Sequence, residues 1–380
     1  MSRPLADVTA GMALSALLTT GLASMSSVSP SIIPTAVRSA DVSKTSPALT
    51  LAVSGARLTV AGTPRFLVFV SYFDAMDAAF LDADLAWIAD RADGIRVFVN
   101  WWDFDDRRRC ATRFSDRTLM RVNAEGAVSV SPERLDRLRA VLAAARSHGL
   151  VVDLTFSYES VKGLSKLEGT ADGDVCGSSS SVQNQVRLEP YARAVGEVAK
   201  AVSEPAFDHV LVDVQNEVNG GWGRLTPDEV AALASTVHHN APGRPVTASS
   251  FDPDPARQLR TLQHARLDVL TFHDWPRNKA WPERTGQQVT AFRLALAKAG
   301  LERPIFAGEP DRSTYGRGAS AFSISMQGAE RAGAAAWTLH TRAGFRLDTR
   351  RFSDALDPAA RQFLDERARR PPSGPAPPAH

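Results

Sequence analysis

The chain has 380 residues, 44% of them hydrophobic, and a formal net charge of +2 at pH 7. That is enough apolar material for one large α/β domain with tails. Acidic and basic residues are interspersed; even Arg107-Arg108-Arg109 follows Asp103, Asp105 and Asp106, so no basic stripe points to nucleic acid as a partner.

In chain order, residues 1–47 read as a signal-like segment and a linker. Arg3 precedes an apolar run from Gly11 to Ala23, loosely the pattern of a secretory signal, with Asp7, Thr19 and Thr20 against it. Secretion or export to the periplasm is therefore expected, a disordered cytoplasmic leader being the alternative. The run is too short and too polar for stable membrane insertion, and Ser26 to Ser46 is rich in Ser, Pro, Thr and Ala. The folded domain is expected over 48–369, as a monomer, and the proline-rich 370–380 as an extended tail.

Leu49 to Val53 and Arg57 to Val60, joined through Ser54-Gly55, predict a small hairpin. Strands and helices then alternate. The first long strand is Phe66 to Tyr72, followed by a helix over Met76 to Ala92. Gly94 to Asn100 is the second strand. Ser131-Pro132 opens a helix as N-cap and first helical residue, Gly149 ends it, and Leu150 to Phe156 is the third strand. A helix over Leu188 to Val202 precedes the fourth strand, which begins at His209 and stops at Asn216-Glu217. Thr226 and Glu229 form a capping box. Arg244 to Ser250, Leu267 to His273, Pro304 to Glu309 and Gly333 to His340 are the fifth to eighth strands. Helices near Pro255 to His264, Gly286 to Ala299 and Ala319 to Ala332 separate them, and Pro358 to Arg369 closes the domain. Eight strands alternating with helices predict a (β/α)8 barrel. An open doubly wound sheet is the rival, but no glycine-rich phosphate loop follows the first strand.

Two of these strands end in carboxylates, Glu217 and Glu309. In a barrel the C-terminal ends of all strands share one rim, and a pair of carboxylates there is what acid/base cleavage of a glycosidic bond requires. Either glutamate alone would more often cap a surface loop. The tryptophans favour the chemical reading. Of seven, only Trp87 falls in a predicted helix. Trp101 and Trp102 follow the second strand, Trp222 the fourth, Trp275 and Trp281 the sixth, and Trp337 lies near the end of the eighth. Indoles stack on sugar faces, although some of them, Trp281 included, would simply pack loops.

Arg96 and Asn100 on the second strand, Asn216 beside Glu217, and His273 at the end of the sixth strand complete the candidate set. Arg96 could hold a nucleophile ionised, or could equally be a structural partner of barrel carboxylates. His273 has no second histidine at metal spacing, and His238-His239 falls in a predicted helix, so no metal and no cofactor are expected.

The ordered set Arg96, Asn216-Glu217, His273, Gly308-Glu309 and Trp337 resembles the retaining glycoside hydrolases of clan A, most nearly glycoside hydrolase family 5, over about Leu58 to Leu364. The resemblance implies Glu217 as general acid/base, Glu309 as nucleophile and Trp337 as floor of the reacting subsite; those roles require a raised pKa at Glu217, and the several rim tryptophans point to an oligo- or polysaccharide of the β-linked mannan or glucan type as substrate. Three positions depart from the family. Trp275 stands where an aromatic hydroxyl is common, Leu154-Thr155-Phe156 ends the third strand where many members carry histidine, and Val218 replaces a frequent proline. The alternative function is a carbohydrate-binding protein on a barrel that no longer catalyses. Cys110 and Cys176, in the long segments after the second and third strands, could form a disulfide between rim loops, which would agree with export, or could remain two thiols.

Overall fold

The structure is a computed structural model that describes residues 49–100, 118–122, 127–157, 187–218, 225–274, 281–310 and 318–369. The expected signal, linker and tail lie outside these residues.

Three short antiparallel strands come first: β1 (Leu51–Ser54), β2 (Arg57–Val60) and β3 (Thr63–Arg65), one more than the expected hairpin. β4 (Leu67–Ser71) is the first barrel strand and β5 (Gly94–Phe98) the second. An antiparallel ribbon that sequence reading missed, β6 (Met120–Val122) with β7 (Val128–Val130), precedes β8 (Val151–Thr155). The remaining strands are β9 (Val210–Asp213), β10 (Val246–Thr247), β11 (Leu270–His273), β12 (Ile305–Glu309) and β13 (Ala336–Leu339).

Eight of them form one sheet in the order β10-β9-β8-β5-β4-β13-β12-β11, and every pairing within it is parallel. The two ends meet. Ser250, just past β10, bridges Phe272 of β11; its N–H donates to the Thr271 carbonyl at 3.2 Å and its carbonyl accepts from the His273 N–H at 2.7 Å. The sheet is thus the expected (β/α)8 barrel.

Between strands run α1 (Leu81–Ala89), α2 (Pro132–Ser147), α3 (Leu188–Val202), α4 (Pro227–Asn240), α5 (Pro255–His264), α6 (Trp281–Lys298) and α7 (Ala319–Arg331), with α8 (Phe352–Ala355) and α9 (Pro358–Ala368) closing the chain. Their starts follow capping chemistry. Ser131 accepts from the Arg134 N–H ahead of Pro132, and Thr226 and Glu229 complete a reciprocal capping box. The first helix starts at Leu81 rather than Met76, because residues 75–77 form a separate 3-10 turn that ends in extended Ala78. Among the described residues, no helix is long and apolar enough to cross a membrane.

Side-chain alternation divides the barrel into two apolar regions. Val68, Val70, Ile95, Val97, Val152, Val210 and Val212 face the helices. Leu67, Phe69, Val151, Leu211, Val269 and Phe306 face inward near the strand starts, where Leu51, Leu58 and Val60 of the small sheet plug the barrel. Gly94 is required there, since a Cβ would sit 2.6 Å from the Phe69 ring and 2.7 Å from the Val151 carbonyl. The N-terminal end is therefore sealed, and polar chemistry is left to the opposite rim.

Tyr72, directly after β4, ties the barrel to the helix layer. Its hydroxyl donates to buried Asp84 of α1 at 3.0 Å, and the same carboxylate oxygen accepts from the Phe352 N–H of α8 at 3.1 Å. Burial raises both the Tyr72 hydroxyl and the Asp84 carboxyl. Tyr72→Phe should lower stability by about 1–3 kcal/mol, because it removes a donor from a buried carboxylate; the urea midpoint measures this.

Candidate active site

Arg96 of β5 is fully buried at the centre of the open rim. Its register explains why: it pairs with Ser71 on one side and Asp153 on the other, and all three face the barrel interior. Each arm of its guanidinium is used. Nε donates to Thr155 Oγ1 at 3.0 Å and lies 3.1 Å from Asp153 Oδ2. Nη1 donates to Glu309 Oε1 at 2.5 Å, and Nη2 donates to Asn216 Oδ1 at 2.9 Å and Asp213 Oδ2 at 3.4 Å. The rings of Phe73 and Phe98 lie 5.6 and 5.2 Å from its carbon, excluding water from this face.

One cation thus meets three carboxylates. Burial drives the Asp153 carboxyl up to about 7, opposed by Arg96 and reinforced by Asp213, and burial likewise raises Asp213. This upward push works against both aspartates being ionised beside Glu309, the carboxylate nearest Arg96. Arg96 thus contacts the interior aspartates and the rim carboxylate together.

Glu309 ends β12 and is 8% exposed; Glu217, just past β9, has a side chain 27% exposed. Oxygens of the two carboxylates and a ring nitrogen of His273 all lie within 4.8 Å of one another. His273 Nδ1 is 3.3 Å from Glu217 Oε1 and 3.9 Å from Glu309 Oε1. Its ring lies against Gly308, where a Cβ would approach it to 3.2 Å. Such a trio has the donors of a divalent metal site, but Arg96 already occupies Glu309 and would repel a cation.

Backbone geometry aims Glu217. Its φ is +52°, a left-handed conformation that a non-glycine residue adopts only under restraint. Ser249, after β10, supplies the restraint. Its Oγ accepts from the Glu217 N–H at 3.2 Å and its carbonyl accepts from the Val218 N–H at 2.9 Å. Asn216 is oriented as tightly: a guanidinium only donates, so the Asn216 carbonyl must face Arg96 and its NH2 faces away.

Arg96, Asn216, Glu217, His273 and Glu309 are thus brought together, and two other expected contacts require correction. Trp337 does not floor the site. It lies on the outer face of β13, 1% exposed, with Nε1 donating to Ser325 Oγ of α7 at 3.0 Å and its ring 5.6 Å from Phe363 of α9. Period-two alternation places it there, while Thr338 and His340 face inward. Asn100 is not a sugar contact either. It is buried, its carboxamide donating to the Met120 carbonyl at 3.0 Å and accepting from the Met120 N–H at 2.9 Å, which fastens β6 to the end of the second-strand run. Trp101, Trp102, Trp222, Trp275, Cys110 and Cys176 lie outside the described residues, so the expected tryptophan platform and disulfide concern segments not described.

Sequence reading missed Asp153, Asp213, Ser71, Ser249 and His340. The signal was available: polar residues at inward positions of runs that are otherwise Val, Leu and Phe.

No protein-family model and no curated protein matches the chain by sequence. Solved structures do match it. A β-mannanase from the blue mussel Mytilus edulis is 14% identical over 85% of this chain and 97% of its own, with a TM-score of 0.55. An endo-1,4-β-mannanase from Eisenia fetida is 13% identical over 84% and 96%, with a TM-score of 0.54. A glycoside hydrolase family 5 mannosidase from Rhizomucor miehei is 12% identical over 85% and 97%, also at 0.54. At such identities the likeness is one of fold, and the chain shares the (β/α)8 fold of these enzymes.

Proposed function

We propose that the chain is a retaining β-glycoside hydrolase in which Glu309 is the nucleophile and Glu217 the general acid/base. The observation that carries this reading is the pair of rim carboxylates with oxygens within 4.8 Å, since retaining enzymes place the two groups about 5 to 5.5 Å apart and inverting ones leave room for a water.

The roles follow from the surroundings. Arg96 engages Glu309 and favours its ionised form, as a nucleophile requires. Glu217 is the more exposed of the two, as suits a group that must meet both the leaving oxygen and the incoming water. In the first step Glu309 attacks the anomeric carbon as Glu217 protonates the departing glycosidic oxygen. In the second, Glu217 removes a proton from water, whose oxygen displaces Glu309 and restores the starting charges. The NH2 of Asn216, turned away from Arg96, is placed to donate to the hydroxyl beside the reacting carbon, a bond that strengthens in an oxocarbenium-like transition state.

The fold is shared with solved mannanases, which supports a β-mannan as substrate. The test is hydrolysis of β-mannan, β-glucan and xylan, with anomeric configuration followed by NMR. Turnover of mannan with the β-anomer formed first is expected. An α-anomer first would overturn the mechanism, and no turnover with sugar binding intact would favour a binding protein on this barrel.

A further inference from the structure

We propose that His340 is a positioning residue for the second half of this reaction, stabilising the Glu309 carboxylate as the sugar leaves it; the assignment rests on the glycosidase reading above. β13 ends at Leu339, and alternation turns the next side chain inward. His340 is buried, with Nε2 3.7 Å from Glu309 Oε2 and Nδ1 3.1 Å from Ser71 Oγ.

Ser71 selects the tautomer. Its hydroxyl has two acceptors in reach, His340 Nδ1 at 3.1 Å and the Leu339 carbonyl at 3.4 Å. Donation to the nearer Nδ1 places the imidazole proton on Nε2, the nitrogen that faces Glu309. The ring is held in place by Phe73 and Phe345, whose centroids lie 5.5 and 5.8 Å away. Gly344 allows Phe345 that position, since a Cβ there would collide with the Ser71 carbonyl.

Arg96 takes Oε1 of Glu309, so Oε2 is the oxygen that bonds the sugar. At 3.7 Å the Nε2–H acts on Oε2 through its dipole rather than a formed hydrogen bond. Catalytic contacts of this kind tighten in the bound complex. In the glycosyl intermediate Oε2 is an ester oxygen with little charge to stabilise. As water attacks the anomeric carbon, the carbon–Oε2 bond breaks, the electron pair returns to Oε2 and the water proton passes to Glu217. Negative charge therefore develops where the Nε2–H points. The same donor works slightly against the first step, which withdraws charge from Oε2, so its removal should affect the two steps in opposite directions.

The experiment uses 2,4-dinitrophenyl β-mannobioside or β-cellobioside, whichever the wild type turns over. The reactive leaving group makes deglycosylation limiting. His340→Phe keeps a flat ring and loses the donor. We expect kcat to fall about tenfold with KM falling in parallel, kcat/KM unchanged or raised, and a dinitrophenolate burst approaching one per site. His340→Gln, which restores an N–H, should return kcat to within about threefold of wild type, and Ser71→Ala should shift kcat and KM in the same sense as His340→Phe but less. Thermal melts confirm that each variant is folded. A kcat/KM that falls as far as kcat, or no change in either constant, would overturn the role of His340 while the glycosidase reading stands. A wild type inactive on both glycosides and on the polysaccharide panel would overturn both.

Discussion

Glu309→Ala is expected to lower kcat/KM on the substrate found by the panel by on the order of 10⁴-fold or more, because the proposed covalent route would be lost with its nucleophile. Glu217→Ala should be as damaging on polysaccharide, whose leaving oxygen needs a proton, and much less so on a dinitrophenyl glycoside, whose leaving group does not. Azide separates the two roles. In Glu309→Ala it would enter the vacated space and attack once, giving an α-glycosyl azide from a β-glycoside. In Glu217→Ala it would attack the glycosyl enzyme from the water side, giving the β-azide after two displacements. Exchanged anomers would mean that the carboxylates have been given each other's roles. Stability should not fall with activity in Glu309→Ala. Three buried carboxylates now share one guanidinium, and removing one relieves their repulsion. The urea midpoint of this variant is expected at or above that of the wild type.

Much of this geometry was legible in the sequence because barrel logic is a parity argument. Short runs of Val, Leu and Ile that stop at a polar residue mark strands buried on both faces, and their ends must share a rim. That reasoning located Glu217, Glu309, Arg96, Asn216 and His273, all of which meet around one point. It failed where residue type was allowed to outrank parity. As a rim tryptophan and by the family resemblance Trp337 is expected in the cleft, yet counting in twos from Ala336 puts Thr338 and His340 inside and the indole among the helices. Asn100 failed differently. Its partner is the backbone of Met120, on a ribbon whose strands of three residues give no periodic signal.

The buried aspartates are a third case: the sequence can mark each one singly but not their meeting. Asp153 in Val-Val-Asp-Leu-Thr and Asp213 in Val-Leu-Val-Asp look like interruptions of apolar strands, and nothing local says that they face the same arginine. Only the register, which sets Arg96 beside Asp153 and Asp213 beside Thr155, brings them together. Burial of that cluster then fixes which groups hold protons, a property of the assembled barrel.

Arg96→Leu should be the most destabilising single change at this rim, by about 3–5 kcal/mol at pH 7.5, since it strands Asp153, Asp213 and Glu309 in the interior without their cation. The pH dependence of stability identifies the cause. In the wild type Asp153 titrates at about 7, against an ordinary value of 3.8, so between those values the native protein holds a proton that the unfolded chain has released. Stability from this group therefore falls as pH rises through that window and is level above it, opposite in sign to an ordinary salt-bridged carboxylate. Without Arg96 the Asp153 and Asp213 carboxyls would shift further upward, the falling branch would extend to higher pH, and the gap between variant and wild type would narrow toward pH 5. Urea titrations of both proteins at pH 5, 6.5 and 8 measure this directly. A gap independent of pH would mean that Arg96 contributes packing rather than charge. Activity should fall with the loss of charge, by on the order of 10²–10³-fold, because the Glu309 carboxylate would then lose the cation nearest it. Arg96→Lys should recover part of the stability but less of the rate, since one ammonium cannot hold Glu309, Asn216 and Asp153 in the directions that a guanidinium reaches together.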